Sequence, residues 1–297
     1  KSGSKDNKTH VDVESYYGVQ KAWRQLDLLN RDQYIQYGTQ LINNANGTLP
    51  LRFSNLNTPV YAGASQTYAQ TETDWQDAMF RSAPIYQTQI SLSTGSEKSK
   101  LFTSASHFKQ DGIMLGTDFE RYSYRINSDH KISQRFTFGQ TLNVSYSSGR
   151  NENQSGGRTQ LQHIIHSVPY IPIYDPTQIG GYRAPDNNDG TDPENPVRIA
   201  LMEVNRTNTI NLIGSAFVEA KIVPGLKYKF TAAANYATWR NISENPIFTD
   251  GFSGRNYHGL GDSRSTLLKP YFSNQLTFDK IIGKHTINII AVAERQD

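Results

Sequence analysis

Seven histidines are spread through the chain, at positions 10, 107, 130, 163, 166, 258 and 285. Only His163 and His166 stand close, at the i,i+3 spacing that lets two imidazoles share one helix face and hold a metal. No carboxylate or third ligand lies nearby in sequence. The reading that needs least is a loop helix with two solvated imidazoles. The stretch "DNNDGTDPEN" (186–195) resembles a calcium loop in its carboxylates and glycine. Gly190 comes one place early for an EF-hand, and Val197 stands where the closing bidentate glutamate is required. It reads as a solvated external loop, with adventitious calcium as the alternative. GxSxG, P-loop and Rossmann glycine signatures are missing, and the chain has no cysteine, which removes disulfides, thiolate metal sites and a cysteine nucleophile. No cofactor is expected, and the chain is not expected to be an enzyme.

Aromatic side chains are the better functional candidates. Tyr170, Tyr174, Tyr182 and Trp239 could stack on sugar rings or contact peptide groups, which orients a ligand without chemistry. Tyrosine and tryptophan near strand ends can equally form an interfacial girdle. Lys+Arg number 30 against 27 Asp+Glu. So small a net charge gives no argument for nucleic acid, and none is expected as a partner.

The elements that carry these residues read as strands. In "RFTFGQTLNVSY" (135–146), Phe136, Phe138, Leu142, Val144 and Tyr146 fall on one parity and Arg135, Thr137, Thr141, Asn143 and Ser145 on the other. Side chains alternate across a strand, so one face is apolar and one polar. The pattern recurs at 10–20, 86–93, 121–132, 210–222, 226–236 and 272–278. It is less clean at 101–109 and mixed at 285–294, and the total is about nine strands. Short turns lie at 95–100, 130–135, 223–225 and 281–284, and long polar connections at 21–82, 150–203 and 241–264. Short turns at one end, long loops at the other and a dyad repeat are the pattern of an outer-membrane barrel with lipid outside and water inside. An antiparallel sheet packed on a soluble core is the alternative. Within the strands, Arg121, Arg125 and Lys131 take the polar parity and would face the lumen, solvating it or docking a plug. No stretch of 18 apolar residues exists, so no transmembrane helix is expected.

Short helices are expected inside the loops. Asn30 and Gln33 make a capping box for a helix over 30–43, with Tyr34, Tyr37 and Leu41 on one stripe. Thr73 and Gln76 suggest the same for 73–81. Residues 159–172 read as a helix stopped by Pro169.

Residues 73–133 resemble the SusC/RagA family of TonB-dependent outer-membrane transporters. The family's pattern is carried by Trp75, Arg81, Ser91, Ser93, Gly95, Gly112, Ile113, Phe119, Arg121, Arg125, Asn127 and Asp129. The segment 167–182 is similar to its Pro-rich loop, and the likeness extends over nearly the whole chain. The resemblance implies an all-β fold: an antiparallel transmembrane β-barrel segment, about nine strands of a plugged barrel of about 22. It implies the bacterial cell outer membrane with its lipid, a SusD-like surface lipoprotein as partner, energy through TonB, and an oligosaccharide or oligopeptide substrate. It departs from the family in having no recognisable TonB box, extension domain or plug, and in ending "AERQD" rather than on an aromatic strand. Together with the polar opening "KSGSKDNKTH", this makes residues 1–297 read as the first barrel strands after the plug, with the plug, TonB box and C-terminal strands missing. A soluble or surface β-rich glycan-binding module and a β-rich glycan hydrolase are the competing readings; the latter would need two converging carboxylates.

Overall fold

The computed structural model describes residues 8–296; the first seven residues of the polar opening and the last residue lie outside the described residues. Nine strands form one sheet in the order β1-β2-β3-β4-β5-β6-β7-β10-β11. They are β1 (His10–Gln20), β2 (Ala83–Gly95), β3 (Ser99–Asp111), β4 (Asp118–Lys131), β5 (Phe136–Arg150), β6 (Val204–Val223), β7 (Leu226–Asn245), β10 (Gly259–Ile282) and β11 (His285–Gln296). Every neighbouring pair is antiparallel. β8 (Phe248–Thr249) and β9 (Gly254–Arg255) form a separate small pair in the β7–β10 connection. β1 and β11 do not pair with each other, so the sheet is not closed.

The alternation in the sequence becomes continuous rows in register. Val13, Ile90, Ala105, Tyr124, Val144, Leu212, Tyr236 and Leu268 stand opposite one another across eight strands. These side chains have nothing laid over them, with Val13 65 % and Leu268 61 % exposed. The next row toward the long loops reads Ser15, Thr88, His107, Tyr122, Tyr146, Ile210, Thr238 and Thr266. Beyond it, Lys109, Glu120, Ser148, Asn208 and Arg240 make the outer face polar. A soluble monomer rarely shows so long an apolar surface to water. Apolar rows bounded by tyrosines and then by charges are the profile of a lipid-facing wall.

The turns explain the up-and-down order. Pro224 and Gly225 close β6 onto β7 in two residues, and Gly225 has φ +88°. A proline followed by a glycine in the left-handed region is the type II turn. Gly283 and Lys284 close β10 onto β11 equally tightly, with Gly283 at φ +61°.

The hydrophobic core lies in the loops, not in the sheet. It joins Val60, Tyr68, Trp75, Met79, Ile164, Val168, Tyr170, Ile171, Val197 and Ala200. The connections from β1 to β2 and from β5 to β6 supply it through five short helices and a single 3-10 turn at Tyr68–Gln70. The helices are α1 (Arg31–Asn44), α2 (Leu51–Ser54), α3 (Trp75–Met79), α4 (Gln160–His166) and α5 (Pro196–Met202). The Asn30/Gln33 capping box forms as read from the sequence, but the stripe of α1 divides: Tyr34 packs on the core while Tyr37 and Leu41 stay exposed. α3 is capped by Asp74, whose carboxylate accepts from the Gln76 and Asp77 amides, and not by the expected Thr73. Thr73 instead ties the two loops together, its amide donating to Pro169 O and its hydroxyl to Ile171 O. α4 ends at His166, earlier than Pro169 suggests, with its Thr159/Gln162 capping box in place.

Candidate functional site

The loop cap is built around buried charged residues. Arg198, on α5, is fully buried. Its guanidinium donates to Asp250 Oδ2 at 2.7 Å, to Glu203 Oε1 at 2.8 Å and to Glu194 Oε2. It also lies 3.5 Å from the centre of the Phe248 ring, a cation–π contact. Asn195 sets up this arrangement. Its side chain caps α5 through the Val197 and Arg198 amides, and its Nδ2 donates to Ile173 O and Arg183 O. One arginine thus joins α5, the 186–195 loop and the β7–β10 connection.

The 186–195 loop is held by two more arginines. Arg52 reaches Asp189 and Asp186, both at 3.0 Å, and Arg183 reaches Asp186 at 2.6 Å. Arg52 also stacks 3.9 Å over the Tyr68 ring. Burial pushes the Asp189 carboxyl up. For Asp186 burial acts the same way, yet the Asn188 amide with Arg52 and Arg183 holds it below the usual carboxylate range. The expectation of a solvated loop is therefore corrected: Asp189, Glu194 and Asn195 are buried. Among the described residues no group of three or more His, Asp or Glu side chains could hold a metal ion.

His163 is corrected likewise. It is buried, with Nε2 3.0 Å from Ser155 O and Nδ1 accepting the Glu194 amide at 3.0 Å. That pair of contacts suits a neutral ring carrying its proton on Nε2. Burial lowers its pKa, whereas burial of Asp250, offset in part by Arg198, raises that carboxyl to about 6. The signs oppose. His163 stabilises the cap above its unfolded pKa and loses that contribution as pH falls. Asp250 stabilises it below the ordinary carboxylate range and loses that contribution as pH rises through about 6. Asp250→Asn removes the second contribution and leaves the first. Its melting temperature is expected to drop more steeply than the unmodified protein's between pH 7 and pH 5, as thermal scans at the two pH values would show.

The four aromatic candidates separate. Tyr170 is fully buried and packs edge-on against Tyr34, Phe53 and Tyr68, so it is a packing residue of the cap and cannot touch a ligand there. Tyr174 and Tyr182 are brought together by an isolated bridge, with ring centroids 5.4 Å apart, and Tyr174 is 58 % exposed. Trp239 stands away from them on β7, level with Thr209 and Ser265, on the parity opposite to Tyr236. It is thus on the inner face rather than in an outer girdle.

The inner face is polar. Asp12, Ser91, Ser104, Arg125, Asn143, Ile213, Asn235 and Lys269 share one row. Arg121 and Lys131 have the same parity as Arg125 on β4. Arg121, Arg125, Asp12, Glu14, Ser91 and Phe102 help line a depression of about 570 Å³. Serines leave it room, and the Arg121 guanidinium lies 5.8 Å from the Phe108 ring centre.

A one-sided apolar wall, a polar concave face and a capped long-loop rim define a segment of a transmembrane-type β-barrel, carried here as an open sheet. No family model matches the chain. It is 24 % identical over 297 residues to TonB-dependent receptor P3 of Formosa agariphila, a match covering 96 % of this chain and 26 % of that protein. It is 22 % identical to TonB-dependent receptor SusC of Bacteroides thetaiotaomicron, covering 100 % of this chain and 29 % of that one. The solved RagAB peptide transporter superposes with a TM-score of 0.78 at 18 % identity, over 99 % of this chain and 35 % of that one. The chain is similar to these TonB-dependent receptors and shares the barrel fold of the RagAB structure, spanning about a quarter to a third of the proteins it matches. By name these relatives are receptors and transporters, not enzymes.

Proposed function

We propose that this chain is part of an outer-membrane importer that is energised through TonB, works with a SusD-like surface lipoprotein, and takes up oligosaccharides or oligopeptides. In this reading, the plug and the remaining barrel strands belong to the rest of the polypeptide. The observation that carries it is the apolar row over eight strands backed by a polar face, a wall that is stable only with lipid on one side. An open sheet leaves unpaired backbone groups at β1 and β11, which lipid cannot satisfy, so further strands must complete it. A soluble glycan-binding module would leave the apolar row uncovered, and a hydrolase has no support among the relatives.

The test is detergent extraction of outer membranes followed by intact mass. The expected species is about three to four times this chain's 33.5 kDa, from its 35 % and 26 % coverage of related proteins, with a lipoprotein co-purifying. A stable 33.5 kDa species in the soluble fraction would overturn the reading. Within it, the exposed Tyr174, beside the half-buried Tyr182, is the ligand contact that the cap presents. Changing Tyr174 to Ala is expected to lower uptake several-fold while the barrel still shows heat-modifiable migration, because it removes an exposed aromatic surface and leaves in place Tyr182, which packs against the cap core.

A further inference from the structure

We infer that the long-loop end of the outward face is a site for a phosphorylated glycolipid of the outer leaflet, with acyl chains in a groove of the wall and phosphates in a cationic crevice beside it. This rests on the barrel reading above, which puts the long loops outside, and adds a lipid of defined chemistry to it. The groove is a depression of about 480 Å³ lined by Ile90, Ala105, His107, Tyr122, Tyr124 and Tyr146 among others. Ala105 makes its floor, because it stands between Ile90 and Tyr124 in one outward row and is far smaller than either. The crevice, of about 460 Å³, opens on the same strands. Lys109 and Glu120 in it lie two residues beyond His107 and Tyr122, about 7 Å along the strands toward the long loops.

The charges of the crevice do not cancel. Glu120 is engaged by the wall: its Oε1 is 2.8 Å from His107 Nε2 and accepts the Tyr122 hydroxyl at 2.8 Å. His107 in turn lies flat on Tyr122, with ring centres 4.5 Å apart. Asp118 accepts from Arg206 at 2.9 Å. Arg150 donates to the carbonyls of Ala200 and Glu203, and Arg81 to that of Gly112. Those bonds hold the two guanidiniums in place without neutralising them. Among the described residues lining the crevice, Asp111 is then the one carboxylate left to face Arg81, Lys109 and Arg150. The wall toward the loops is preformed. The turn between β3 and β4 carries Gly116 at φ +81°, so near Ala200 O that a Cβ would collide.

The arrangement selects the occupant. Cations beside an apolar groove fit an amphiphile with an anionic head, and forked guanidiniums favour phosphate. Lys109 and Arg150 stand two strands apart, about 10 Å at the usual strand separation. A phosphorylated disaccharide covers that span better than one glycerol phosphate, and Tyr122 and Tyr146 offer aromatic surface to its sugars. The two ends of the wall also differ. At the short-turn end the outward row Phe136, Ala220, Tyr228 and Leu276 carries no charge. An anionic lipid confined to the outer leaflet matches that asymmetry.

The test uses the full-length protein, extracted from outer membranes in detergent and stripped of lipid. It is exposed to bisphosphorylated lipid A, to phosphatidylglycerol or to inorganic phosphate, and bound molecules are counted by native mass spectrometry. Lipid A should be retained about fivefold or more over phosphatidylglycerol, and inorganic phosphate at equal concentration should not displace it. Lys109→Glu, which reverses a rim charge, and Ala105→Phe, which fills the groove, should each lower lipid A retention about fivefold or more while heat-modifiable migration persists. Leu212→Phe, in the same outward row as Ala105 but outside the groove, should leave retention unchanged. Equal retention of the two lipids, displacement by inorganic phosphate, retention indifferent to either substitution, or an equal loss in Leu212→Phe would overturn the inference. Absence of a heat-modifiable barrel in the outer membrane would instead overturn the barrel reading on which it rests.

Discussion

Replacing Arg198 by Met is expected to destabilise the loop cap by about 3–5 kcal/mol, the cost of breaking a buried charge cluster on one side. Arg198 is buried between Glu194, Glu203 and Asp250, whose side chains are 10 %, 5 % and 0 % exposed. Methionine fills much the same volume, so the loss is electrostatic rather than a cavity. Arg255, 3.4 Å from Glu203, is the remaining cation and cannot neutralise three carboxylates. Limited proteolysis of the full-length protein should then cut within 151–195 and 246–258 while the nine-stranded sheet stays protected. Adding Glu194→Gln, Glu203→Gln and Asp250→Asn to Arg198→Met should restore most of the resistance. If the four-fold variant is as labile as the single one, unpaired charge is not the cause and the account of this cluster fails.

Val144→Arg is expected to cost about 2–4 kcal/mol in folding titrations into lipid vesicles, because Val144 lies mid-strand in the outward apolar row. Asn143→Arg, one residue away on the polar face, should change stability by less than about 0.5 kcal/mol. Ser148→Arg provides the depth control. It has the parity of Val144 but neighbours Glu120 and Asn208, near the water boundary, where the cost falls to about 0–1 kcal/mol. Equal penalties at Val144 and Ser148 would refute a lipid-facing wall.

These two regions differ in how far the sequence revealed them. A strand's period is local, so Val144 opposite Asn143 was readable from neighbouring residues. The same holds for the Asn30/Gln33 cap and the Pro224-Gly225 turn. The first half of β10 was missed because Gly259, Gly261, Asp262, Ser263 and Arg264 are small or polar on both faces and carry no alternation. α5 was missed although Asn195 followed by Pro196 is a sound helix start. Its burial depends on Arg198 meeting Asp250, 52 residues on, and no local pattern encodes that. The solvated reading of His163 and the ligand-contact reading of Tyr170 fail because no local pattern encodes their partners: Ser155 and Glu194 enclose His163 within one long connection, and Tyr34, Phe53 and Tyr68 from the β1–β2 connection enclose Tyr170. Of the candidate residues, the pairing of Tyr174 with Tyr182 required the bridge between them, whereas the parity of Arg121, Arg125 and Lys131 was plain from β4 alone.

The strand count has a consequence for assembly. Among the described residues the sheet has nine strands with every neighbour antiparallel, so β1 and β11 run in the same direction. Two copies arranged side by side about an axis along the strands would bring β11 of one against β1 of the other in parallel. Joining β11 to β11 restores the antiparallel ladder only by inverting one copy, which puts its cap on the opposite side of the membrane. Parity therefore denies this sheet a closed homodimer with both caps outside. An odd number of strands from elsewhere must complete the ring, and the even total of bacterial single-chain barrels follows.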